Sequence, residues 1–264
     1  MQSGRWGKDQ AKLAFHLYCQ LPFGKLHSGN PEIIELAKLI DRTPSAVAMK
    51  LVNFASLDPA ITSTGRRGLS NASTLDREIW AEFNADWEGL AVECQHLRVS
   101  LGERPEKIIS PDVDSELEEL SDYTGETKRV FVEQRIKQSF FRRAVLSSYR
   151  GRCCMSGLSE PRLLTASHIV PWSKDKANRL NPRNGLCLSA IHDRAFDQGL
   201  ITLSDDLKII VSKELKQQAE NFAQALVVAI EGRPIENPER FMPSLDFIAR
   251  HRKEVFVDNL VKRN

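Results

Sequence analysis

The sequence lacks the features that mark several large classes of protein. No apolar run approaches the length of a membrane span, so we expect no membrane-spanning segment. No glycine-rich nucleotide loop precedes a helical segment, which argues against a nucleotide cofactor and energy-driven translocation. Residues 1–15 lack the basic, apolar and cleavage-site pattern of a signal peptide, so we expect a cytoplasmic protein.

Cysteine is scarce and its spacing is irregular. The five cysteines are Cys19, Cys94, Cys153, Cys154 and Cys187. An odd number, with no CxxC pair, is typical of reduced thiols and argues against a disulfide framework.

Charge is balanced overall but divided sharply along the chain. The net charge of +2 over 264 residues is too small to identify a nucleic-acid-binding protein by itself. Residues 112–126 carry seven acidic side chains and no basic one, whereas residues 126–152 carry eight Lys or Arg. We therefore predict an acidic linker at residues 102–126 between two domains.

The clearest helical signal in the N-terminal part covers residues 30–54. Asn30 and Thr43 are suitable caps for two short helices, each with proline at its first position. This arrangement favours a helix-turn-helix, in which Lys50 and Asn53 on the second helix would face outward and contact DNA. A helical hairpin in an all-α domain, or a protein-binding surface, is the alternative.

A basic segment follows the acidic one at residues 128–149. Apolar residues recur there at helical spacing, which leaves basic and polar side chains on other faces. We predict that some of these side chains contact DNA phosphates, and the candidates are Arg135, Gln138, Arg142 and Arg143.

Three motifs in the C-terminal part carry the predicted chemistry. They are SHIVPW at 167–172, NPRNGLCL at 181–188 and IHDRAFDQGLI at 191–201. The first two have strand-forming residues next to turn residues, and the third can begin a helix. On that helix Asp193 and Asp197 are four residues apart, so they share one face and can converge on one cation.

This residue set suits a hard divalent cation and a general base. Magnesium usually takes one or two carboxylates and keeps waters, which leaves room for phosphate oxygens, and Mn²⁺ is the alternative ion. His168 has the residue type of a general base, because the usual pKa of histidine lies near working pH.

Together the motifs resemble the HNH, or ββα-metal, endonuclease family over residues 150–202. The resemblance implies a general base at His168, an orienting asparagine at Asn184 and a final metal-binding residue at His192 or Asp193. It departs from many relatives at Ser167, where they have an Asp or His ligand. Many relatives also hold a structural zinc with two CxxC pairs, so we predict no zinc here.

We therefore predict an α+β protein. A mainly helical domain at residues 1–101 precedes the linker, and the HNH nuclease domain spans residues 127–264. The predicted reaction is metal-dependent hydrolysis of double-stranded DNA, with catalytic residues His168, Asn184 and His192 and ligands His192, Asp193 and Asp197. Bacterial restriction or phage defence, with a possible homodimer, is the leading biological hypothesis. The alternative is a DNA-binding regulator with an inactive nuclease fold.

Overall fold

The computed structural model describes residues 4–62, 72–103, 125–218 and 220–260. The chain divides into two compact units, residues 1–148 and 149–264. The first is helical in its described part, and the second combines small antiparallel sheets with helices. The predicted α+β class is therefore confirmed. No helix in the described ranges is long and apolar enough to cross a bilayer.

The N-terminal unit is built around its first helix, α1, which packs against most of the other helices of the unit. The Phe15 ring of α1 lies 4.6 Å from the Phe83 ring and 4.9 Å from the Phe54 ring, between centroids. These rings form the centre of the core. The helices are α1 (Lys8–Gln20), α2 (Pro31–Leu39), α3 (Pro44–Ala55), α4 (Pro59–Thr62), α5 (Thr74–Ala85), α6 (Trp87–Ser100) and α7 (Gly125–Ser148).

The predicted pair of short helices is confirmed as α2 and α3. Asn30 Oδ1 accepts a hydrogen bond from the backbone N–H of Glu32 at 2.8 Å, and Thr43 Oγ1 accepts one from Ala46 at 3.1 Å. Each side chain satisfies a backbone donor that the helix itself leaves unpaired. Between the helices Asp41 adopts φ = 51°, the left-handed conformation that glycine more often provides at such a turn.

Helix α7 belongs to the N-terminal unit rather than to the nuclease domain that we expected to begin at residue 127. It packs on α1 and α6, where Phe140 and Val145 are buried. Ser147 Oγ donates a hydrogen bond to the backbone oxygen of Cys19 at 3.1 Å. The boundary between the units therefore follows Ser148. Of the expected linker at 102–126, residues 104–124 lie outside the described residues.

The C-terminal unit begins with two antiparallel strands and a helix, and a second two-stranded sheet follows. Helix α8 packs on the strands of the first sheet and on the first strand of the second. The elements are β1 (Leu164–His168), β2 (Gly185–Ser189), α8 (Ala190–Asp197), β3 (Ile201–Leu203), β4 (Ile209–Val211), α9 (Lys213–Gln218), α10 (Asn221–Leu226), α11 (Leu245–Glu254) and α12 (Val257–Leu260).

The turn that ends α8 requires a glycine. Gly199 adopts φ = 69°, and a Cβ atom there would lie 2.1 Å from the backbone oxygen of Val255. The backbone N–H of Val257 donates to the oxygen of Gly199 at 3.1 Å. The glycine of the third motif thus allows the chain after α11 to pack closely against the end of α8.

Helix α11 is joined to α8 through a buried histidine. The His251 ring stacks on Phe196 with centroids 3.7 Å apart, and its Nε2 lies 3.1 Å from the Phe196 oxygen. Its Nδ1 lies 2.8 Å from Thr202 Oγ1. Burial lowers the pKa of His251 to about 4, so the ring is neutral in the folded protein at neutral pH.

This burial predicts that acid weakens the C-terminal unit. The unfolded chain binds a proton on His251 near pH 6.5, whereas the folded ring does so only near pH 4, so stability falls as pH falls from 6.5 toward 4. The full contribution is on the order of 3 kcal/mol. We expect His251→Gln to have a shallower pH dependence, measured by hydrogen exchange of α11 amides.

The exposed His27 supplies the control, because His27→Gln should keep the pH dependence of the unaltered protein. An equally steep pH dependence in His251→Gln would show that other groups cause the acid sensitivity.

Candidate active site

The two strands of the first sheet bring the first two motifs together. In the antiparallel register His168 pairs with Gly185, and Ser167 pairs with Leu186. Because β1 ends where β2 begins, the 169–184 loop leaves and re-enters the sheet at one edge. His168 therefore lies at the base of this loop.

Asn184 holds that loop in place from the inside. Its side chain is fully buried, and its Oδ1 accepts a hydrogen bond from the Val170 N–H at 2.8 Å. Its Nδ2 donates to the backbone oxygens of Val170 at 3.1 Å and Asn178 at 3.2 Å. One amide thus pairs with three backbone groups, two of them buried, which fixes the chain on the C-terminal side of His168.

The His168 ring is oriented by a backbone carbonyl. Its Nε2 lies 2.9 Å from the oxygen of Arg179, which can only accept, so Nε2 carries the proton. In the neutral ring Nδ1 is then the basic nitrogen. Burial lowers the pKa of His168, opposed in part by the bond to Arg179, and this favours the neutral ring that a general base requires.

Two residues that the sequence analysis missed support this orientation. The Trp172 ring meets the His168 ring edge to face at 5.5 Å, and the Arg179 guanidinium lies over the Trp172 ring at 5.2 Å. Arg179 Nε also donates to the Trp172 oxygen at 2.9 Å. The only sequence signal was the position of Trp172 within the first motif.

The acidic pair lies on helix α8, whose N-terminus is capped by Ser189. Burial raises the pKa of Asp193, and burial with the negative charge of Asp193 raises the pKa of Asp197 to about 6. Two carboxylates that repel each other in this way would both be stabilised by a shared cation. The positive charge of Arg194 lowers the pKa of both acids in part.

A buried hydroxyl group, that of Ser167, lies beside Asp193. Ser167 Oγ is close enough to Asp193 to lower the pKa of its carboxyl. Yet within the described part of the chain no atom completes a hydrogen bond to this buried oxygen. Two carboxylates on one helix face, with a buried hydroxyl beside Asp193, are oxygen donors of the kind that a hard cation takes, so these residues fit a Mg²⁺ ion.

Histidine and cysteine ligands do not add to this set. The described residues contain no group of three or more His, Cys, Asp or Glu side chains arranged to hold a metal ion. The five cysteines are free and buried. A Mg²⁺ site needs only one or two carboxylates, with waters and phosphate oxygens completing the shell, so two acids are sufficient.

His192 was expected to be a ligand, but the structure buries it and engages both of its ring nitrogens. Nδ1 lies 2.9 Å from Ser189 Oγ and 3.6 Å from Cys153 Sγ, and Nε2 lies 3.0 Å from the Leu226 oxygen. Binding a metal would break one of these contacts. The structure therefore does not bring His192 into the acidic set, in contrast to Asp193.

The predicted DNA contacts on α7 have different exposures. Gln138 is exposed, and Arg135 and Arg142 are partly exposed. Arg143 forms an ion pair with Glu32. All four belong to the N-terminal unit, whereas the sequence analysis placed them in the nuclease domain at residues 127–264.

Lys50 on α3 does not face outward as expected. It is 5% exposed, its Nζ lies 2.6 Å from Oδ1 of the fully buried Asp76, and it lies 4.7 Å from the Trp6 ring centroid. Asn53 is partly buried, and its Oδ1 has no hydrogen-bond partner among the described residues. The outward face of α3 instead presents Met49, which is 58% exposed.

The comparison with protein families agrees with this geometry. Residues 153–204 match the model of a family described as HNH endonuclease. The match covers the two strands, α8 and the first strand of the second sheet. No match was found among curated proteins.

The burial of Lys50 predicts a structural role. Lys50→Ala leaves Asp76 buried without its cation, so we expect a loss of about 3–5 kcal/mol in the unfolding free energy of the N-terminal unit. Urea titration measures the change. The exposed Lys25 is the control, and Lys25→Ala should change stability by less than about 0.5 kcal/mol. Weaker DNA binding with unchanged stability would instead support a DNA contact at Lys50.

Proposed function

We propose, from the HNH endonuclease domain at residues 153–204, that this protein hydrolyses phosphodiester bonds of double-stranded DNA in a reaction that depends on a divalent metal ion. The main support is the arrangement of the strand end and helix α8. A histidine with a defined basic nitrogen ends β1, directly after a buried serine hydroxyl that lies beside Asp193 of α8.

In the proposed mechanism His168 acts as the general base. Its Nδ1 takes a proton from the attacking water, whose oxygen bonds to phosphorus as the bond to the departing sugar oxygen breaks. Arg179 keeps the ring in the required tautomer through its carbonyl, and Asn184 holds the loop that carries this carbonyl. The residues therefore prepare the base before substrate arrives.

Asp193 and Asp197 would hold a divalent cation, most simply Mg²⁺, with the Ser167 hydroxyl as a third oxygen. The bound ion would neutralise charge on the scissile phosphate and on the leaving oxygen. We assign His192 a positioning role, since its contacts with Cys153 and the Leu226 oxygen anchor α8.

The proposal extends to the DNA contacts, the oligomeric state and the biological role. Arg135, Gln138 and Arg142 remain the candidates for phosphate contact, since they lie on α7 with partly or fully exposed side chains. We propose a homodimer, because two copies of the active site could cut both strands of the DNA. By analogy with other proteins that pair a helical domain with a nuclease domain, the proposed role is restriction or phage defence in the bacterial cytoplasm.

The role of His168 as general base can be tested by removing its imidazole. His168→Ala should lower the rate of plasmid cleavage in Mg²⁺ by about 10² to 10⁴, because a positioned general base contributes that much, while DNA affinity stays nearly unchanged. Gel analysis of plasmid and fluorescence anisotropy of labelled DNA measure the two quantities. EDTA should abolish cleavage, and His27→Ala is the matched control at an exposed histidine.

This experiment also separates the alternative function. A DNA-binding regulator with an inactive nuclease fold would bind DNA in a salt-dependent way but leave the plasmid intact in every tube. Equal loss of cleavage and of DNA affinity in His168→Ala would argue against the catalytic role of His168.

The proposed metal ligands Asp193 and Asp197 can be tested by removing their charges. Asp193→Asn and Asp197→Asn should each raise the Mg²⁺ concentration required for half-maximal cleavage by at least about 10-fold, because a carboxylate charge is lost from the site. The exposed Asp246 on α11 gives the control Asp246→Asn, which should leave the titration unchanged. An unaltered titration for Asp193→Asn would remove that residue from the ligand set.

A further inference from the structure

Helix α11 follows the segment that matches the HNH family, yet it contacts both halves of the proposed active site. Its His251 ring stacks on Phe196 of α8, the helix that carries the two acids. At the start of α11 the backbone N–H of Ser244 donates to the oxygen of Arg183 at 3.0 Å, close to the beginning of β2. Helix α11 is therefore packed on α8 and bonded to the end of the 169–184 loop.

Arg250 on α11 bonds to the middle of the same loop. Its guanidinium donates to Oδ2 of Asp175 and to the backbone oxygen of Lys174, each at 3.2 Å. Its Nε donates to Oε1 of Glu254, one turn further along α11, at 3.2 Å. One side chain thus joins the helix to the loop, and Glu254 helps to orient the guanidinium.

Within the loop, Asp175 is bonded to Asn178. Its carboxylate accepts from the backbone N–H and from Nδ2 of Asn178, each at 3.2 Å. The backbone oxygen of Asn178 accepts from Asn184 Nδ2, and the next residue, Arg179, provides the carbonyl that accepts from His168 Nε2. Hydrogen bonds and one peptide link therefore connect the guanidinium on α11 to the imidazole of the base.

The contact between Arg250 and Asp175 matters for geometry more than for folding. The two side chains are 35% and 16% exposed, and ion pairs near the surface contribute little to stability. Residues 171–181 form neither helix nor strand, so the loop has no sheet or helix ladder of its own to fix its backbone. Bonds from side chains such as these fix it instead.

We propose that Arg250 is a positioning residue for the nuclease reaction, an inference that rests on the proposed function. It ties the loop that carries the Arg179 carbonyl to α11, which in turn packs on α8. His168 is thereby held at a fixed distance from Asp193 and Asp197. Arg250 does not touch the substrate in this role. The HNH segment then depends for its rate on a helix that lies beyond the family match.

Steady-state cleavage of supercoiled plasmid in saturating Mg²⁺ tests this role. Arg250→Gln should lower kcat by at least about 10-fold with little change in KM, because a misplaced base loses rate rather than substrate binding. Arg250→Lys keeps a cation beside Asp175 and should recover part of the loss. In the His168→Ala background, Arg250→Gln should have little further effect, since the group on which it acts is gone.

Arg252→Gln is the matched control, because it removes the same charge from α11 but Arg252 bonds to Asp205 and to the Leu203 oxygen instead of the loop. It should leave kcat unchanged. An equal fall in kcat for Arg252→Gln would overturn the proposal, as would an additive loss in the His168→Ala background. A rise in KM with kcat unchanged would make Arg250 a DNA contact and would overturn it too.

Proton NMR of the full chain without DNA separates this inference from the nuclease proposal. The Nε2–H group held by the Arg179 carbonyl should give a slowly exchanging ring signal, assigned by its loss in His168→Ala. Arg250→Gln should broaden or remove this signal, and Arg252→Gln should keep it. Absence of the signal from the unaltered protein, or an unchanged signal in Arg250→Gln, would overturn the inference. If no variant cleaves plasmid, the nuclease proposal fails and this signal still decides the positioning role.

Discussion

The segment formed by β1, β2 and α8 depends on the side-chain amide of Asn184. This amide replaces the sheet hydrogen bonds that the chain loses where it leaves β1, and the Asn184 side chain itself is fully buried. Because the Arg179 carbonyl that orients His168 lies in the same loop, the position of the imidazole follows from the position of the amide. Packing in the interior thus controls a group at the surface of the site.

Helix α8 carries an unfavourable electrostatic interaction, in contrast to the satisfied hydrogen bonds around Asn184. Its two acids lie on one side of the helix, where partial desolvation raises the pKa of both and the negative charge of Asp193 adds to the rise at Asp197, so the ionised pair is less favourable than two isolated carboxylates. Two other contacts hold the helix in place. His192 Nε2 lies close to the Leu226 oxygen, and the Phe196 ring stacks on His251. Because these contacts keep the helix in place, it can hold two acids whose charges repel each other.

Structure that depends on neighbouring residues could be predicted from the sequence. The burial of a side chain that depends on a distant partner could not. The caps at Asn30 and Thr43 act within three residues, so α2 and α3 could be predicted, and the strands and helix of the motifs could be predicted for the same reason. The burial of Lys50 depends on Asp76, which is 26 residues away. Periodicity shows that α7 has an apolar face but not which domain covers it.

The position of α7 has a practical consequence for dissecting the protein. A fragment that starts at residue 127 would retain most of a helix whose buried face, with Phe140 and Val145, has lost α1 and α6. Such a fragment would expose apolar surface and tend to aggregate. A fragment that starts at Tyr149 keeps the contacts of the C-terminal unit intact and is the natural unit for separate expression.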